Sequence, residues 1–366
     1  MLNMLKKINL LIIFIFLGAL LSSFLIFDKP KSYISRLIFS HDLSLLSHSI
    51  FFSINDEIDF DMEKKENQKK SLVVLNRYIF DFVKPVFKNL DSGVAWKLLH
   101  GSVWCDGVSD IFLRLAENTN TRVLMMFLHN KDGNSPHTLN FVDFDNKVDV
   151  STYEKKYGEG TYFPAGPEFR QMYLFDSQAN YYPLTKDGQF VDINYMLNHK
   201  SEFLKYKYLD SNLNGGPSNI QLNLLENDST VFNSNRTYDE YSNISKIAKK
   251  IVRVLPKNYL KSLYKFGIYI NPELEDDYKK FLYARLEHIL LNYDDALIAY
   301  SQIPVENTYY DYALFWYKKL NMPNVQNHNR DWRDHKPVLK GYHAGIPILP
   351  ATGQDRTWIM HWTKFE

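Results

Sequence analysis

One cysteine occurs in 366 residues, and it sits in the run Gly101-Ser102-Val103-Trp104-Cys105-Asp106-Gly107-Val108. Beyond it the apolar side chains recur at Val108, Ile111, Phe112 and Leu115, the 3.6-residue period of a half-buried helix. Cys105 therefore falls on the first turn of a helix, where unpaired N–H groups and the positive end of the dipole favour a thiolate. A lone cysteine can equally be a small buried hydrophobe, so its neighbours in the sequence decide what it does. Downstream stand His137, which opens the run His137-Thr138-Leu139-Asn140-Phe141-Val142, and the carboxylates Asp149 and Glu154. A thiol attacks an amide or peptide carbonyl as thiolate, which calls for a base at about 3 Å and a third group holding the imidazole in its useful tautomer. Cys105, His137 and Asp149 could supply these roles, and the N–H of Cys105 an oxyanion donor. His100 and His129 compete with His137 for the role of base.

Several elements must position these groups. Thr121 to His129 is short and apolar enough to be a central strand. The order is then a helix carrying cysteine, a strand, a turn, a strand opening with histidine, a turn, and a strand carrying aspartate. In that order the segment from Trp104-Cys105 through His137 to Asp149 resembles the transglutaminase-like superfamily of papain-like cysteine enzymes, over roughly residues 95–165. The resemblance implies an α+β fold with a papain/transglutaminase-like core, in which the cysteine helix packs on an antiparallel sheet. It also implies a catalytic triad of Cys105, His137 and Asp149. Asp145-Asn146-Lys147-Val148 stands where the family has glycine and tryptophan, and the interval from histidine to aspartate is about three residues shorter.

That shortening leaves two strand registers open. With Asp145-Asn146 as a two-residue loop, Asp149 falls opposite Val142, roughly 17 Å along the strands from His137, and Glu154 pairs with His137. With Asp143-Phe144-Asp145 as the loop, Asp149 falls opposite Leu139, on the face of His137 and one diagonal away. The family's triad needs the second register. The Tyr153, Tyr157, Gly158 and Gly160 loop that follows matches the family pattern.

The rest of the chain frames this core. Ile8 to Phe27 gives twenty uncharged positions behind Lys6 and Lys7, about the length of a bilayer crossing. It is expected to be an uncleaved transmembrane anchor over residues 1–31, with a cleaved signal as the rival reading. The lysines before it place the body outside the cytoplasm, on the periplasmic or extracellular face. Residues 32–71 are expected to be a membrane-proximal linker region, and 72–194 the transglutaminase-like domain. Its first helix, Leu72 to Lys84, is ended by Pro85. Residues 195–366 are expected to form a mainly helical, aromatic-rich extension with helices over Ile244–Leu255, Tyr259–Phe266 and Pro272–Tyr300. Tyr309, Tyr310, Trp316 and Tyr317 either pack on the preceding helix or offer a contact to glycan or protein.

Composition narrows the function classes. Lys+Arg 43 against Asp+Glu 42 gives a net charge of +1, so no overall field favours nucleic acid. One cysteine allows no internal disulfide. His328, His335, His343 and His361, with Asp331, Asp334 and Asp355, follow no compact zinc spacing, so neither metal nor cofactor is expected. The expected activity is cysteine-dependent acyl transfer on a peptide, protein or other amide-containing envelope substrate, of peptidase, amidase or transglutaminase type. The alternative is an inactive relative serving as a membrane-anchored binding or assembly factor.

Overall fold

The structure, a computed structural model, describes residues 27–40, 44–85, 93–128, 137–145, 147–149, 152, 155–156, 162–178, 182–185, 189–199, 229–232 and 243–321. The apolar run before Phe27, His129, the loop with Tyr153, Glu154, Tyr157, Gly158 and Gly160, and the tail with His328, His335, His343 and His361 lie outside these residues. Among the described residues, no helix is long and apolar enough to cross a membrane.

In chain order the elements before the sheet are α1 (Asp28–Ile38), α2 (Leu45–Glu57), α3 (Gln68–Phe82), α4 (Val94–His100) and α5 (Cys105–Ala116). The sheet region comprises β1 (Arg122–Leu128), β2 (His137–Asp143), β3 (Tyr162–Pro164), β4 (Tyr173–Phe175), the short α6 (Ile193–Asn198) and β5 (Ser229–Phe232). Then come α7 (Asn243–Val254), α8 (Lys257–Ile270), α9 (Asp276–Ile289), α10 (Tyr293–Ser301) and α11 (Tyr310–Asn321).

The cysteine helix forms where its spacing predicts. Val108, Ile111, Phe112 and Leu115 are all buried, and Trp104, in extended conformation, is the N-cap, its carbonyl accepting from Val108 N–H at 2.9 Å. Gly107 is needed one turn in, because a Cβ there would stand 2.8 Å from Val103 Cβ. Val103 belongs to a two-residue parallel pairing, Lys84–Pro85 with Ser102–Val103, that delivers the chain to Trp104. Helix α3 buries Leu72, Leu75, Ile79 and Phe82. It stops at Val83, ahead of Pro85, whose ring disfavours helical backbone in the residue before it.

The five-stranded sheet has the order β3-β5-β1-β2-β4 and is antiparallel throughout. Its two faces serve different cores, as the two-residue period of a strand requires. Leu124, Met126 and Leu128 of β1 stand opposite Phe141, Leu139 and His137 of β2. Their apolar members join Leu174, Phe169, Met172, Ile193 and Met196 in one cluster. Val142 and Phe175 on the other face join the helices, where Phe112 of α5 stacks on Phe175 at a centroid distance of 5.5 Å. Asn140 ties that face to the helix by donating to Ser109 O at 3.0 Å.

The larger core does not divide at residue 194. Ile50, Phe51 and Ile54 of α2, within the stretch expected to be a linker, are fully buried, and they share a cluster with Tyr264, Leu286 and Trp316 from the extension. The single helix expected over Pro272–Tyr300 is two, α9 and α10. Leu291 between them takes a positive φ of 66°, and Asn292, followed by Asp294 and Asp295, begins the next helix. The aromatic run of α11 packs inward. Trp316 is fully buried, so it offers no contact to an outside glycan or protein, while Tyr309, Tyr310 and Tyr317 are half-buried against the same core.

Candidate active site: Cys105, His137 and Asp176

Three segments meet at one end of the sheet. Cys105 is the first residue of α5, His137 the first of β2, and Asp176 directly follows the last residue of β4. Because β2 and β4 are antiparallel, the start of one lies beside the end of the other. His137 Nε2 is 2.5 Å from Asp176 Oδ2, and the Cys105 side chain is near enough to act on the charge of the same imidazole. With Nε2–H donated to the carboxylate, Nδ1 is left to serve the sulfur.

The electrostatics follow from this sandwich. Burial of His137 works against its charged form, but the Asp176 carboxylate, its hydrogen bond and the contact with Cys105 outweigh burial and hold the imidazole well above its ordinary 6.5. The neighbours of His137 thus favour its imidazolium form. Asp176 is itself fixed, since its other oxygen, Oδ1, accepts from Gln178 N–H at 2.9 Å. The adjacent Ser177 donates to Asn76 Oδ1 of α3 at 2.7 Å, so this carboxylate is anchored to both the strand end and a helix. The thiol, by contrast, is half-buried and has the exposed Trp104 beside it. Trp104, the N-cap of α5, gives no side-chain cap, and the Cys105 N–H at this helix start is the donor the arrangement offers a developing oxyanion.

Asp149 is not the carboxylate on His137. It is exposed and accepts from Thr152 Oγ1 at 2.9 Å. The reason lies at the end of β2, where Asp143 turns the chain: its two carboxylate oxygens accept from Lys147 N–H and Val148 N–H, each at 3.0 Å. Arg122 then donates to Val148 O at 2.5 Å. With these N–H groups consumed, the chain does not return along β2, and neither hairpin register forms. The strand that does pair with β2 is β4, with Asn140 opposite Phe175 and Phe141 opposite Leu174. Continuing that register by one residue places Asp176 opposite Leu139, on the face of His137 and one diagonal away. The geometry expected of Asp149 is thus supplied by Asp176. The available signal was an aspartate closing the strand-like piece Met172–Phe175.

His100, a rival base by sequence, belongs to the helical core. Its Nδ1 is 2.8 Å from Tyr278 Oη, and its ring lies edge-on to Tyr278. The segment leading to the thiol is held from beneath by Arg285 of α9. This fully buried guanidinium donates to Leu99 O at 3.2 Å, Leu98 O at 3.1 Å and Phe82 O at 2.8 Å. These are carbonyls at the C-terminal ends of α3 and α4, where the dipole favours a cation. Gly101 follows with φ 74°, and any side chain there would overlap the guanidinium.

Among the described residues no group of histidine, cysteine and carboxylate side chains is placed to hold a metal ion. Comparison of the chain with protein-family models, with curated proteins and with solved structures finds no match.

Proposed function

We propose that the protein is a cysteine-dependent acyl-transfer enzyme acting on an amide or peptide bond, with Cys105 as nucleophile, His137 as acid and base, and Asp176 as the residue that orients the imidazole. The observation that carries the reading is one buried imidazole held against a fixed carboxylate, with the half-buried Cys105 side chain near enough to act on its charge. The sulfur at a helix start, the histidine at a strand start and the aspartate beside it follow the order of the transglutaminase-like and papain-like enzymes, which supports a core of that type.

In the reaction the Cys105 thiolate attacks the carbonyl carbon, and charge develops on the carbonyl oxygen near Cys105 N–H. The imidazolium gives its proton to the leaving amine as the C–N bond breaks, which leaves a thioester on Cys105. Neutral His137 then takes a proton from the incoming water or amine, which attacks the thioester and expels the Cys105 thiolate, returning the thiolate and imidazolium of the starting state. Water makes the enzyme a peptidase or amidase; an amine makes it a transglutaminase-type transferase. Asp176 keeps Nε2–H in place, so that Nδ1 faces the sulfur at every stage. The apolar run Ile8–Phe27 would anchor this body to a membrane with peptide, protein or other amide-containing envelope substrates on its outer side.

Incubation with an activated acyl ester, followed by intact mass, tests the chemistry. The expected result is one acyl group on Cys105 in the parent, far slower acylation in His137→Ala, and none in Cys105→Ser. Equal acylation of parent and His137→Ala would remove the base from the mechanism. An inert Cys105 in the folded protein would leave a binding or assembly factor that keeps the arrangement without using it.

A further inference from the structure

The chain is nearly neutral overall at +1, yet Asn243 to Ile270, covering α7 and α8, carries seven basic residues and no acidic one. On α7, Ala248 and Val252 face the core, while Ile247, Ile251 and Val254, with Leu255 just past the helix end, form an adjoining stripe that is 55, 40, 80 and 40 % exposed. At helical spacing these are neighbours on one flank. Tyr259 continues the stripe across the Pro256 junction and is 69 % exposed. Lys246 and Lys250 occupy the other flank, exposed and with no carboxylate at ion-pair distance among the described residues. Arg253 and Lys257, by contrast, pair with Glu63 and Asp56.

An exposed aliphatic stripe beside unpaired lysines is the surface pattern of a helix that lies in a bilayer interface: side chains enter the acyl boundary while the cations meet anionic headgroups. A second observation selects lipid over protein as the occupant. The twenty uncharged residues that end at Phe27 run directly into α1, and α1 packs on α8, with its Ile38 against Gly267. Phe27 and Tyr33 on α1 are themselves 63 and 69 % exposed. A chain that enters the membrane at Phe27 holds α8, and α7 joined to it, next to that membrane.

We propose that the outer stripe of α7 and the start of α8 rest on an anionic lipid surface, giving the body a second membrane contact beside its anchor. The proposal rests on the anchor reading above, and it fixes how the body stands on the membrane rather than what it cleaves.

The single cysteine makes the test direct. In the full chain carrying Cys105→Ser, a nitroxide is placed through Ile251→Cys or Tyr259→Cys, with Val305→Cys, an exposed site outside the stripe, as control. Phe16→Cys reports the anchor. The protein is reconstituted in phosphatidylcholine vesicles with and without phosphatidylglycerol, and collision with oxygen, which partitions into lipid, is compared with collision with a water-soluble nickel chelate. Residues 251 and 259 should show a several-fold excess of oxygen over nickel contact and residue 305 the reverse. The excess should fall when phosphatidylglycerol is omitted or when Lys246→Glu and Lys250→Glu are combined. Nickel contact at 251 as high as at 305 overturns the proposal. So does exclusion of both reagents from 251, which would mean that protein, from this chain or a second copy, covers the stripe. A lipid signal at residue 16 with water at 251 would refute the surface contact and keep the anchor; water at residue 16 with lipid at 251 would do the opposite.

Discussion

Two buried histidines, His137 at the sheet end and His288 in the helical core, each touch a charged partner, and the partner's sign separates their roles. His137 meets Asp176 and Cys105, and these hold it well above its ordinary value against the effect of burial. His288 is sealed among α9, α10 and α11. Burial first, then the Arg285 and Lys319 cations, push it well below 6.5. Its Nδ1 accepts from Arg285 Nη1 at 3.1 Å, and Tyr300 Oη lies at 3.2 Å. The ring of Trp316 lies 4.1 Å from the guanidinium carbon of Arg285. One histidine is shifted toward its charged form and adjoins a half-buried sulfur; the other is shifted toward its neutral form and is buried in the helical core. Burial alone therefore does not mark a functional histidine. What sets His137 apart is an environment that favours its charge next to a reachable sulfur.

The comparison breaks most sharply at Arg285. Arg285→Met should leave the carbonyls of Phe82, Leu98 and Leu99 without their donor in a dry interior. The expected loss in urea denaturation is about 3 kcal/mol or more. A loss under about 1 kcal/mol would mean that the helix ends find other partners, and that the guanidinium is not what joins the α3 and α4 ends to α9.

A third histidine sharpens the contrast through pH. His48 in α2 donates from Nδ1 to Asn118 Oδ1 at 2.6 Å, and its Nε2 accepts from Ser245 Oγ at 3.0 Å. Burial, despite the Asn118 bond, lowers it to about 4. A histidine lowered in the folded state takes up its proton first in the unfolded chain, so stability is full above about 6.5 and falls as the pH drops toward 4. The drop is worth at most about 3 kcal/mol. His137, raised in the fold, has the opposite sign: its contribution is complete below 6.5 and is lost as the pH rises through its raised value. His48→Gln should therefore flatten the acid loss between pH 6.5 and 4.5 in urea midpoints and leave the alkaline side unchanged. An acid slope identical to the parent's would assign that loss to other groups.

The same contrast shows what could be read from the residues. The cysteine helix was legible because its apolar spacing is local and is satisfied within one helix, and His137 because it heads an apolar run after turn residues. The carboxylate on His137 was not. It depends on pairing with a three-residue strand some thirty residues downstream of β2, whereas Asp143 caps a turn that mimics the start of a hairpin. Long-range pairing of short strands leaves little trace in sequence, and the side-chain turn at Asp143 supplied a nearer, misleading one. In the C-terminal half the helices were legible from their periods. Their junction with the first half was not, because Arg285 acts on carbonyls nearly two hundred positions earlier. The break at Leu291 escaped the reading for a different reason, since leucine gives no sign of the positive φ it adopts.

The measurement that bears most directly on the central claim is the rate at which iodoacetamide alkylates Cys105 at pH 6, followed by mass spectrometry in the folded protein, in the parent and in His137→Ala, Asp176→Ala and Asp149→Ala. If Cys105, His137 and Asp176 form one unit, the parent reacts readily, His137→Ala loses most of the rate because the neighbouring positive charge is gone, and Asp176→Ala loses a smaller but clear part because the imidazole is no longer held. Asp149→Ala, whose carboxylate sits at the surface on Thr152, should match the parent. A rate unchanged in Asp176→Ala but reduced in Asp149→Ala would contradict the assignment, and a Cys105 that reacts only after denaturation would contradict the account as a whole.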